Sequence, residues 1–230
     1  MQHKHHIVFL TGAGISQESG ISTFRDANGL WNNHKIEEVA SPEGFEKNPQ
    51  LVLDFYNARR RQLDEVEPNA AHHLIAQLET KYNVTVITQN IDDLHERAGS
   101  TNVLHLHGEL RKSRSSNNSN LISVCTQDIK LGDLASDGNQ LRPHIVWFGE
   151  EVPEMEKAMQ EIEGADYLLV IGTSLQVYPA AGLINYVNED VLVYYIDPKP
   201  ATIYDLENPL KVIPLSATEG MKIVQEEFRR

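Results

Sequence analysis

The sequence predicts an α/β protein, a Rossmann-like doubly wound parallel sheet with a small inserted lobe. Short, continuously apolar runs recur at residues 7–10, 84–87, 167–171 and 191–196. Such runs are typical of strands that are buried on both faces of a parallel sheet. Helical patterns lie between them, and this alternation of strand and helix produces a doubly wound sheet. One stretch without periodicity, residues 111–140, is rich in turn residues and predicts the inserted lobe or a long loop.

Composition limits the class of protein before any motif is considered. The chain has 230 residues, 40% of them hydrophobic and 23% charged, which suits a globular unit with a sizeable core. Its net charge of −13 repels phosphate backbones, so we expect no nucleic-acid partner. The single cysteine, Cys125, excludes an internal disulfide and fits a reducing compartment. Because no apolar run resembles a signal peptide or a bilayer span, we expect a cytoplasmic protein that has no membrane partner.

Capping and turn residues delimit the helices between the strands. Asn69 is a candidate N-cap, and Pro153 can open a second helix. Apolar residues three and four apart indicate a last helix over residues 218–228. Residues 51–63, with Pro49 near their start, also show a helical pattern.

A glycine-containing turn follows the first strand. Gly12, Ala13 and Gly14 let the backbone turn tightly and approach a phosphate, whose charge a following helix N-terminus would stabilise. The turn lacks the full G-x-G-x-x-G spacing, so it fits a nucleotide site and a plain strand-to-helix turn equally well. The incomplete spacing also disfavours a hydride-transferring dehydrogenase.

Polar residues follow the 84–87 run, at the strand end where open α/β sheets bind ligands. Gln89, Asn90 and Asp92 offer amide and carboxylate groups that can hold a carboxamide, although Asn90 or Asp92 can equally cap a helix. Farther upstream, Phe24, Arg25 and Trp31 lie in a polar, glycine-containing stretch that predicts a ligand-closing loop. Arg25 also fits a surface ion pair.

Histidines are candidates for general base catalysis near neutral pH. The chain has ten, and His107 stands out because it ends the apolar-polar run of residues 103–106. We expect the remaining histidines at the terminus and in the adjacent pair to be exposed, namely His3, His5, His6, His72 and His73.

Six sequence blocks, taken together, resemble the sirtuin family. They are GAGIS (residues 12–16), GISTFR (20–25), TQNID (88–92), HG (107–108), VWFGE (146–150) and GTS (172–174). They follow the family's order over nearly the whole chain, and the match is best to the compact bacterial members of its class III, desuccinylase-like branch. The resemblance implies an NAD-dependent protein-lysine deacylase that consumes NAD and gives nicotinamide, O-acyl-ADP-ribose and free lysine.

The resemblance also implies a division of the chain. Residues 1–230 would form a single sirtuin-type catalytic domain. Its Rossmann-like part would comprise about residues 1–30, 70–110 and 145–230, and its small lobe about residues 31–69 and 111–144. Both substrates would lie in the cleft between the two parts.

The roles of individual residues follow from the matching blocks. His107 and Asn90 would be catalytic, with His107 removing a proton from a ribose hydroxyl. An acylated-lysine protein or peptide would add as a strand beside Val146, Trp147, Phe148, Gly149 and Glu150. NAD would contact Gly12, Ala13, Gly14, Ser16, Phe24, Arg25, Trp31, Gln89, Asn90, Ile91, Asp92, Gly172, Thr173, Ser174, Tyr195, Asp197 and Ala217.

Tyr56 and Arg59 are candidates for substrate selection. They lie three residues apart on a predicted helix and therefore share a face, where a hydroxyl and a guanidinium together suit a carboxylate. The class III branch uses a Tyr-x-x-Arg pair for the distal carboxylate of succinyl- or malonyl-lysine. Without the six blocks, Arg59, Arg60 and Arg61 would be interpreted as an ordinary basic helix surface.

The chain departs from the family at the zinc site. Most sirtuins hold a structural zinc with two Cys-x-x-Cys pairs in the small lobe, and a tetrahedral sulfur site needs four thiolates. In this chain Ser115 and Asn118 stand at the first pair, Leu134 and Asp137 near the second, and Cys125 is alone. We therefore expect no zinc, a half-buried Cys125 and a lobe that is held by apolar packing. The apolar residues expected to pack are Leu121, Ile122, Val124, Ile129 and Leu131.

A second departure concerns Tyr195 and Asp197. They stand where the family has Asn-x-Glu beside the adenosine ribose, so Tyr195 fits the core as well as the cofactor site. Two rival functions also remain on the same scaffold. An ADP-ribosyltransferase would use NAD and His107 without needing Tyr56 and Arg59 for a carboxylate. A non-catalytic NAD sensor would keep the cleft and release no nicotinamide.

Overall fold

The computed structural model describes residues 4–22, 30–31, 34–203 and 206–229. The strands are β1 (His6–Thr11), β2 (Leu30–Trp31), β3 (His34–Lys35), β4 (Asn83–Thr88), β5 (Val103–His105), β6 (Gly108–Ser115), β7 (Ile122–Val124), β8 (Leu141–Ile145), β9 (Tyr167–Ile171), β10 (Leu192–Ile196) and β11 (Leu210–Ile213). The helices are α1 (Ile36–Val39), α2 (Pro42–Lys47), α3 (Pro49–Gln62), α4 (Ala70–Leu78), α5 (Leu94–Ala98), α6 (Met155–Glu163) and α7 (Ala217–Phe228). Within the described residues, no helix is both long and apolar enough to cross a bilayer.

A six-stranded parallel sheet runs in the order β11-β10-β9-β1-β4-β5. The predicted α/β, Rossmann-like class is therefore confirmed. From β1 the chain adds β4 and β5 on one side of the sheet and then β9, β10 and β11 on the other, so the order of the strands reverses between β1 and β9. In doubly wound sheets this topological switch point forms a crevice beyond the carboxyl ends of the strands, and ligands bind there.

Strand β1 shows why the sheet strands are continuously apolar. Ile7 and Phe9 pack against α4 and α7 on one face of the sheet, whereas Val8 and Leu10 pack against α6 on the other. All four side chains are fully buried. Two separate cores thus require apolar residues at consecutive rather than alternate positions.

The predicted helices are confirmed at α3, α4, α6 and α7, and Asn69 caps α4 as expected. Its Oδ1 accepts a hydrogen bond from the Ala71 N–H at 3.0 Å. Its own backbone N–H donates to His72 Nδ1 at 3.3 Å, which completes a capping box. Besides capping the helix, the Asn69 amide donates to the Ile15 carbonyl at 2.7 Å and so ties α4 to the glycine turn.

The expectation that the histidine pair on α4 is exposed is wrong for one of its members. His73 is exposed, but His72 is fully buried and stacks edge-to-face on the buried His95 ring at 4.8 Å between centroids. Burial, aided by the neighbouring His73, lowers the pKa of His72 to about 4. Burial also lowers the pKa of His95 well below its usual value. Both rings are therefore neutral in the folded protein at pH 7.

This buried pair should make the protein lose stability in mild acid. Below about pH 6.5 the unfolded chain takes up protons that the folded chain does not bind. The free energy of unfolding therefore falls as the pH falls, by about 1.4 kcal/mol per pH unit for each such histidine. We expect His72→Gln, which can keep the bond to Asn69, to make the slope between pH 6 and 4.5 shallower by about this amount. Denaturant titrations at several pH values measure the slope. The exposed control His73→Gln should keep the wild-type slope, and equal slopes in all three proteins would contradict the prediction.

We call residues 34–62 and 108–145 the small lobe. Its sheet is antiparallel in the order β7-β6-β8, and α1, α2 and α3 pack beside it around a core that includes Val52, Phe55 and Trp147. Cys125 is half-buried, as expected.

The expectation that the apolar residues near β7 hold the lobe together is wrong. Ile129 is buried, but Val124 is 81% exposed and Ile122 and Leu131 nearly half exposed. Polar contacts tie this segment down instead. Asn57 of α3 holds both backbone groups of Ile129, donating to its carbonyl at 2.8 Å and accepting from its N–H at 2.9 Å.

The residues at the positions of the family's zinc ligands form a hydrogen-bonded loop. The Ser115 hydroxyl donates to Asp137 at 2.7 Å and accepts from the backbone N–H groups of Asn117 and Asn118. A hydroxyl and a single carboxylate, already paired with each other, do not fit a tetrahedral zinc site of thiolates. The absence of zinc stays a prediction, and the hydrogen bond joins the two loops that the family's metal would join.

Candidate functional site

Two glycine-containing loops meet at the switch point between β1 and β9. The Gly12 N–H donates to the Ile171 carbonyl at 3.0 Å, and the Gly14 N–H donates to the Gly172 carbonyl at 2.8 Å. A Cβ atom on Gly14 would lie only 2.6 Å from the Cα atom of Gly172. Gly172 has a φ of +63°, a conformation that favours glycine. The two loops therefore lie closer than any side chain would allow. They lie at the carboxyl ends of β1 and β9, where such sheets bind ligands.

A buried hydrogen-bond chain joins the glycine turn to the TQNID block. The Ser16 hydroxyl donates to Asp92 Oδ2 at 3.0 Å and accepts from the Asn90 amide, also at 3.0 Å. All three side chains are buried. Asp92 Oδ1 also accepts from the Leu94 N–H at the start of α5. The N-cap of α5 is Asp93, so neither Asn90 nor Asp92 is the helix cap that the alternative expected. Burial raises the pKa of Asp92 to about 6, against the effect of its hydrogen bonds to Leu94 and Ser16.

Gln89 connects His107 to the GTS block. The Gln89 side chain donates to Thr173 Oγ1 at 3.1 Å, and its carbonyl lies 3.0 Å from His107 Nδ1. Because a carbonyl oxygen can only accept, Nδ1 carries the proton and Nε2 is the nitrogen that can take one up. Burial lowers the pKa of His107, and the bond to Gln89 only partly offsets it. The imidazole is therefore neutral at pH 7, as a general base must be.

His105 is a site residue that sequence reasoning missed. Its Nδ1 donates to the Asn90 carbonyl at 3.0 Å, and its Nε2 lies 2.7 Å from Glu96 Oε1. Burial alone would lower the pKa of His105, but the bond and charge of Glu96 outweigh it and raise the pKa. His105 and His107 thus donate to the backbone carbonyls of the adjacent residues Asn90 and Gln89. The pKa of His105 is raised, whereas that of His107 is lowered. Their spacing of two residues, at the end of β5 and just beyond it, was the available signal.

Of the remaining candidates for NAD contact, all but Phe24 and Arg25 lie within the described residues. Tyr195 is fully buried in β10, as its alternative interpretation held, and its hydroxyl donates to the Thr173 carbonyl at 3.0 Å. Asp197 is buried and accepts from the Lys199 N–H, and Ala217 is buried at the start of α7. Half-buried positions are occupied by Ala13, Ile91 and Ser174. Phe24 and Arg25 lie outside the described residues, and for Trp31 only the backbone in β2 is described.

The predicted acyl-selecting residues lie on α3. Tyr56 is fully buried, and its hydroxyl accepts from Trp147 Nε1 at 3.0 Å. Burial raises the pKa of Tyr56, and the hydrogen bond from Trp147 and the charge of Arg142 only partly oppose the rise. The Arg59 guanidinium lies 4.3 Å from the centre of the Phe55 ring. Burial lowers the pKa of Arg59 to about 10, so it stays charged at pH 7.

An open cavity of about 330 Å³ lies beside Arg59, and Tyr56 is not among the residues that line it. Its lining residues are His34, Leu51, Asp54, Phe55, Ala58 and Arg59. The alternative of an ordinary basic surface fails for Arg60, which is 1% exposed and donates to the Leu110 carbonyl at 2.8 Å. Arg61, in contrast, is an exposed residue paired with Asp128.

Part of the VWFGE segment is already engaged within the protein. The Val146 N–H donates to the His107 carbonyl and the Phe148 N–H to the Ala40 carbonyl. Phe148 and Gly149 are exposed. Strand addition by a peptide would therefore use backbone groups other than these two N–H groups.

The Glu150 carboxylate is likewise held by the protein. It accepts from Arg114 at 3.0 Å, from Arg142 at 2.7 Å and from the Trp147 N–H at 2.8 Å. Its side chain therefore orders the segment, and the two buried arginines that bind it were missed by sequence reasoning.

Comparison with known proteins agrees with this geometry. One curated relative from Helicobacter pylori, named NAD-dependent protein deacylase, is 57% identical over 217 residues, covering 94% of each chain. Another of the same name, from Bacteroides thetaiotaomicron, is 54% identical over 227 residues, covering 96% of this chain and 97% of its own.

Solved structures extend the likeness to the whole fold. A Sir2 homolog–NAD complex has a TM-score of 0.87 at 39% identity and covers 98% of this chain and 90% of its own. A Sir2 protein bound to acetylated peptide has a TM-score of 0.80 at 30% identity, covering 98% and 94%. Residues 12–179 match the model of the Sir2 family, the sirtuins, and this stretch contains the glycine turn, His107 and the GTS block. The chain therefore belongs to the Sir2 family.

Proposed function

We propose that this protein is an NAD-dependent protein deacylase that removes acetyl, succinyl and malonyl groups from lysine, giving nicotinamide and O-acyl-ADP-ribose. The observation that carries the proposal is the hydrogen bond from His107 Nδ1 to the Gln89 carbonyl, which leaves Nε2 as the basic nitrogen, while the Gln89 side chain joins this pair to Thr173 of the GTS block. The names of the relatives support the reaction class. We place the protein in the cytoplasm, on the grounds of its single cysteine and its composition.

The residues at the switch point fit NAD. Because Gly12 and Gly14 carry no side chains, their turn suits the close approach of a pyrophosphate, while Asn90 and Asp92 would orient the nicotinamide end. NAD supplies an electrophilic ribose carbon and nicotinamide as the leaving group. The surrounding residues hold the reactants together and exclude water. His107 Nε2 then takes a proton from a ribose hydroxyl.

The acyl group would meet α3. Arg59 is a charged guanidinium at neutral pH, and Tyr56 adds a hydroxyl one turn away. A carboxylate can accept charge-assisted hydrogen bonds from both, whereas an acetyl group has no charge to offer. Acidic acyl groups should therefore gain more from this pair than acetyl does.

Removing the Arg59 charge should separate the two acyl classes. A hydrogen bond to a charged group contributes about 1.5–3 kcal/mol, so Arg59→Met should lower kcat/KM for succinyl-lysine peptides about 10- to 100-fold. Deacetylation should fall far less. Arg61→Met is the matched control on the same helix, because Arg61 is exposed and pairs with a surface aspartate. Equal losses on succinyl and acetyl peptides would refute the acyl assignment.

The reaction itself is tested by one panel assay. Peptides carrying acetyl-, malonyl-, succinyl- or glutaryl-lysine are incubated with NAD, while nicotinamide release and peptide mass are followed. Deacylation predicts nicotinamide release together with loss of the acyl mass. A gain of ADP-ribose on the peptide would favour a transferase, and no nicotinamide with any peptide would favour a sensor.

A further inference from the structure

We propose that Trp147 is a positioning residue for acidic acyl groups, because its indole N–H fixes the Tyr56 hydroxyl as a hydrogen-bond donor. This inference rests on the acyl specificity proposed above. The two side chains are 91 residues apart in sequence, and both are buried, Trp147 at 2% exposure and Tyr56 at 0%.

The chemistry follows from the donor and acceptor count of a phenol. Tyr56 Oη accepts from Trp147 Nε1 at 3.0 Å, so one of its lone pairs is occupied. The hydroxyl's own hydrogen is thereby directed away from the indole. A carboxylate is an acceptor only, so a tyrosine held as a donor matches it better than one that rotates.

The indole is also contacted over its face. The Arg142 guanidinium lies 3.2 Å from the centre of the Trp147 ring, a close cation–π contact. Arg142 also binds Glu150 through two nitrogen atoms, and Glu150 accepts from the Trp147 backbone N–H. Ring and backbone of Trp147 are therefore fixed by one ion-paired cluster, which pre-organises the bond to Tyr56.

The charges around Tyr56 also favour an anion. Arg59 and Arg142 are cations that act on its hydroxyl, and Glu150 is an anion that does so. Glu150 is shared by Arg142 and Arg114, with both arginine side chains less than 10% exposed. Two arginines thus share one carboxylate, and Arg59 adds a further positive charge on the acyl side.

The test is a double-mutant cycle on succinyl and acetyl peptides. Trp147→Phe removes the indole N–H and keeps an aromatic ring for Arg142 to cover. We expect the ratio of desuccinylation to deacetylation to fall about three- to tenfold, mainly through KM for the succinyl peptide. Tyr56→Phe should lower the ratio at least as much. Trp147→Phe should lower it no further in the Tyr56→Phe background, because the two residues act through one hydrogen bond.

Each of the following results would overturn the inference. A merely structural role for Trp147 would lower both activities equally, and independent roles would give additive losses in the double variant. Suppose that wild type removes succinyl groups and Arg59→Met impairs this, while Trp147→Phe leaves the ratio of desuccinylation to deacetylation unchanged. In that case the positioning role of Trp147 fails and the proposed acyl specificity stands. If wild type has no activity on acidic acyl groups, the proposed specificity fails with it. Should Trp147→Phe not fold, the ratio for Tyr56→Phe alone decides, and an unchanged ratio overturns the inference.

Discussion

Replacing His107 with Asn should lower the rate of deacylation about 10²- to 10⁴-fold, the usual contribution of a positioned general base. Asparagine can still donate to the Gln89 carbonyl, which His107 Nδ1 contacts at 3.0 Å, but it has no nitrogen that takes up a proton. NAD binding should change little, because the glycine loops and the Ser16–Asp92 bond are untouched. Turnover with an acetyl peptide and NAD titration by calorimetry measure the two quantities.

The exposed control for this substitution is His73→Asn, which should keep wild-type turnover. The pH profile gives a further check. Because burial lowers the pKa of His107, the base stays neutral in mild acid, so the acid limb of kcat/KM should lie below pH 6.5. If His107→Asn deacylates within a few-fold of wild type, the assignment of His107 as the base is wrong.

Adding a single methyl group at Gly14 should damage both stability and NAD binding. The new Cβ would lie 2.6 Å from Gly172 Cα and 2.8 Å from its carbonyl oxygen, and both are backbone atoms that no rotamer change can move. Overpacking of this kind costs about 1–3 kcal/mol, and we expect Gly14→Ala to lie at the upper end. That corresponds to a fall in Tm of roughly 4–12 °C, together with a KM for NAD raised at least about tenfold.

Gly182→Ala provides a matched glycine control. Its added Cβ would have Tyr178 as nearest neighbour at 3.9 Å, an ordinary contact, so Tm and KM should stay near wild type. Thermal unfolding by circular dichroism and NAD titration compare the two variants. Wild-type behaviour of Gly14→Ala would show that the two loops separate easily and do not form a fixed cradle.

The central strands could be predicted from sequence because both of their faces are buried. β1, β4, β9 and β10 are all interior to the sheet, and each contains a buried, mainly apolar run. The edge strands β5 and β11 were missed for the opposite reason. β5 has three residues, and β11 exposes Leu210 and Val212, so neither gives a continuous apolar signal.

The β7 segment of the small lobe was hard to predict because polar contacts, rather than burial of its own apolar residues, hold it in place. β6 carries Arg111, Lys112 and Arg114 yet forms a strand, since backbone pairing to β7 and β8 decides its conformation. Ile122 and Val124 look like core residues in sequence, but they lie on β7, which is an edge strand of the lobe sheet.

Sequence identified the residue types of the site but not their pairings. Ser16 and Asp92 are 76 residues apart, and neither composition nor spacing indicates that they share a hydrogen bond. The same holds for the buried contact between His72 and His95. His72 and His73 are adjacent on α4, and the sequence does not indicate which of the two rings turns inward. Contacts of this range depend on the finished topology.

Asn57 follows Tyr56 directly in sequence. Its side chain both donates a hydrogen bond to the Ile129 backbone and accepts one from it. Helix α3, which would contact the acyl group, is therefore hydrogen-bonded to the segment that follows β7. The position of α3 is thus linked to that of the Ile129 backbone through one buried amide side chain.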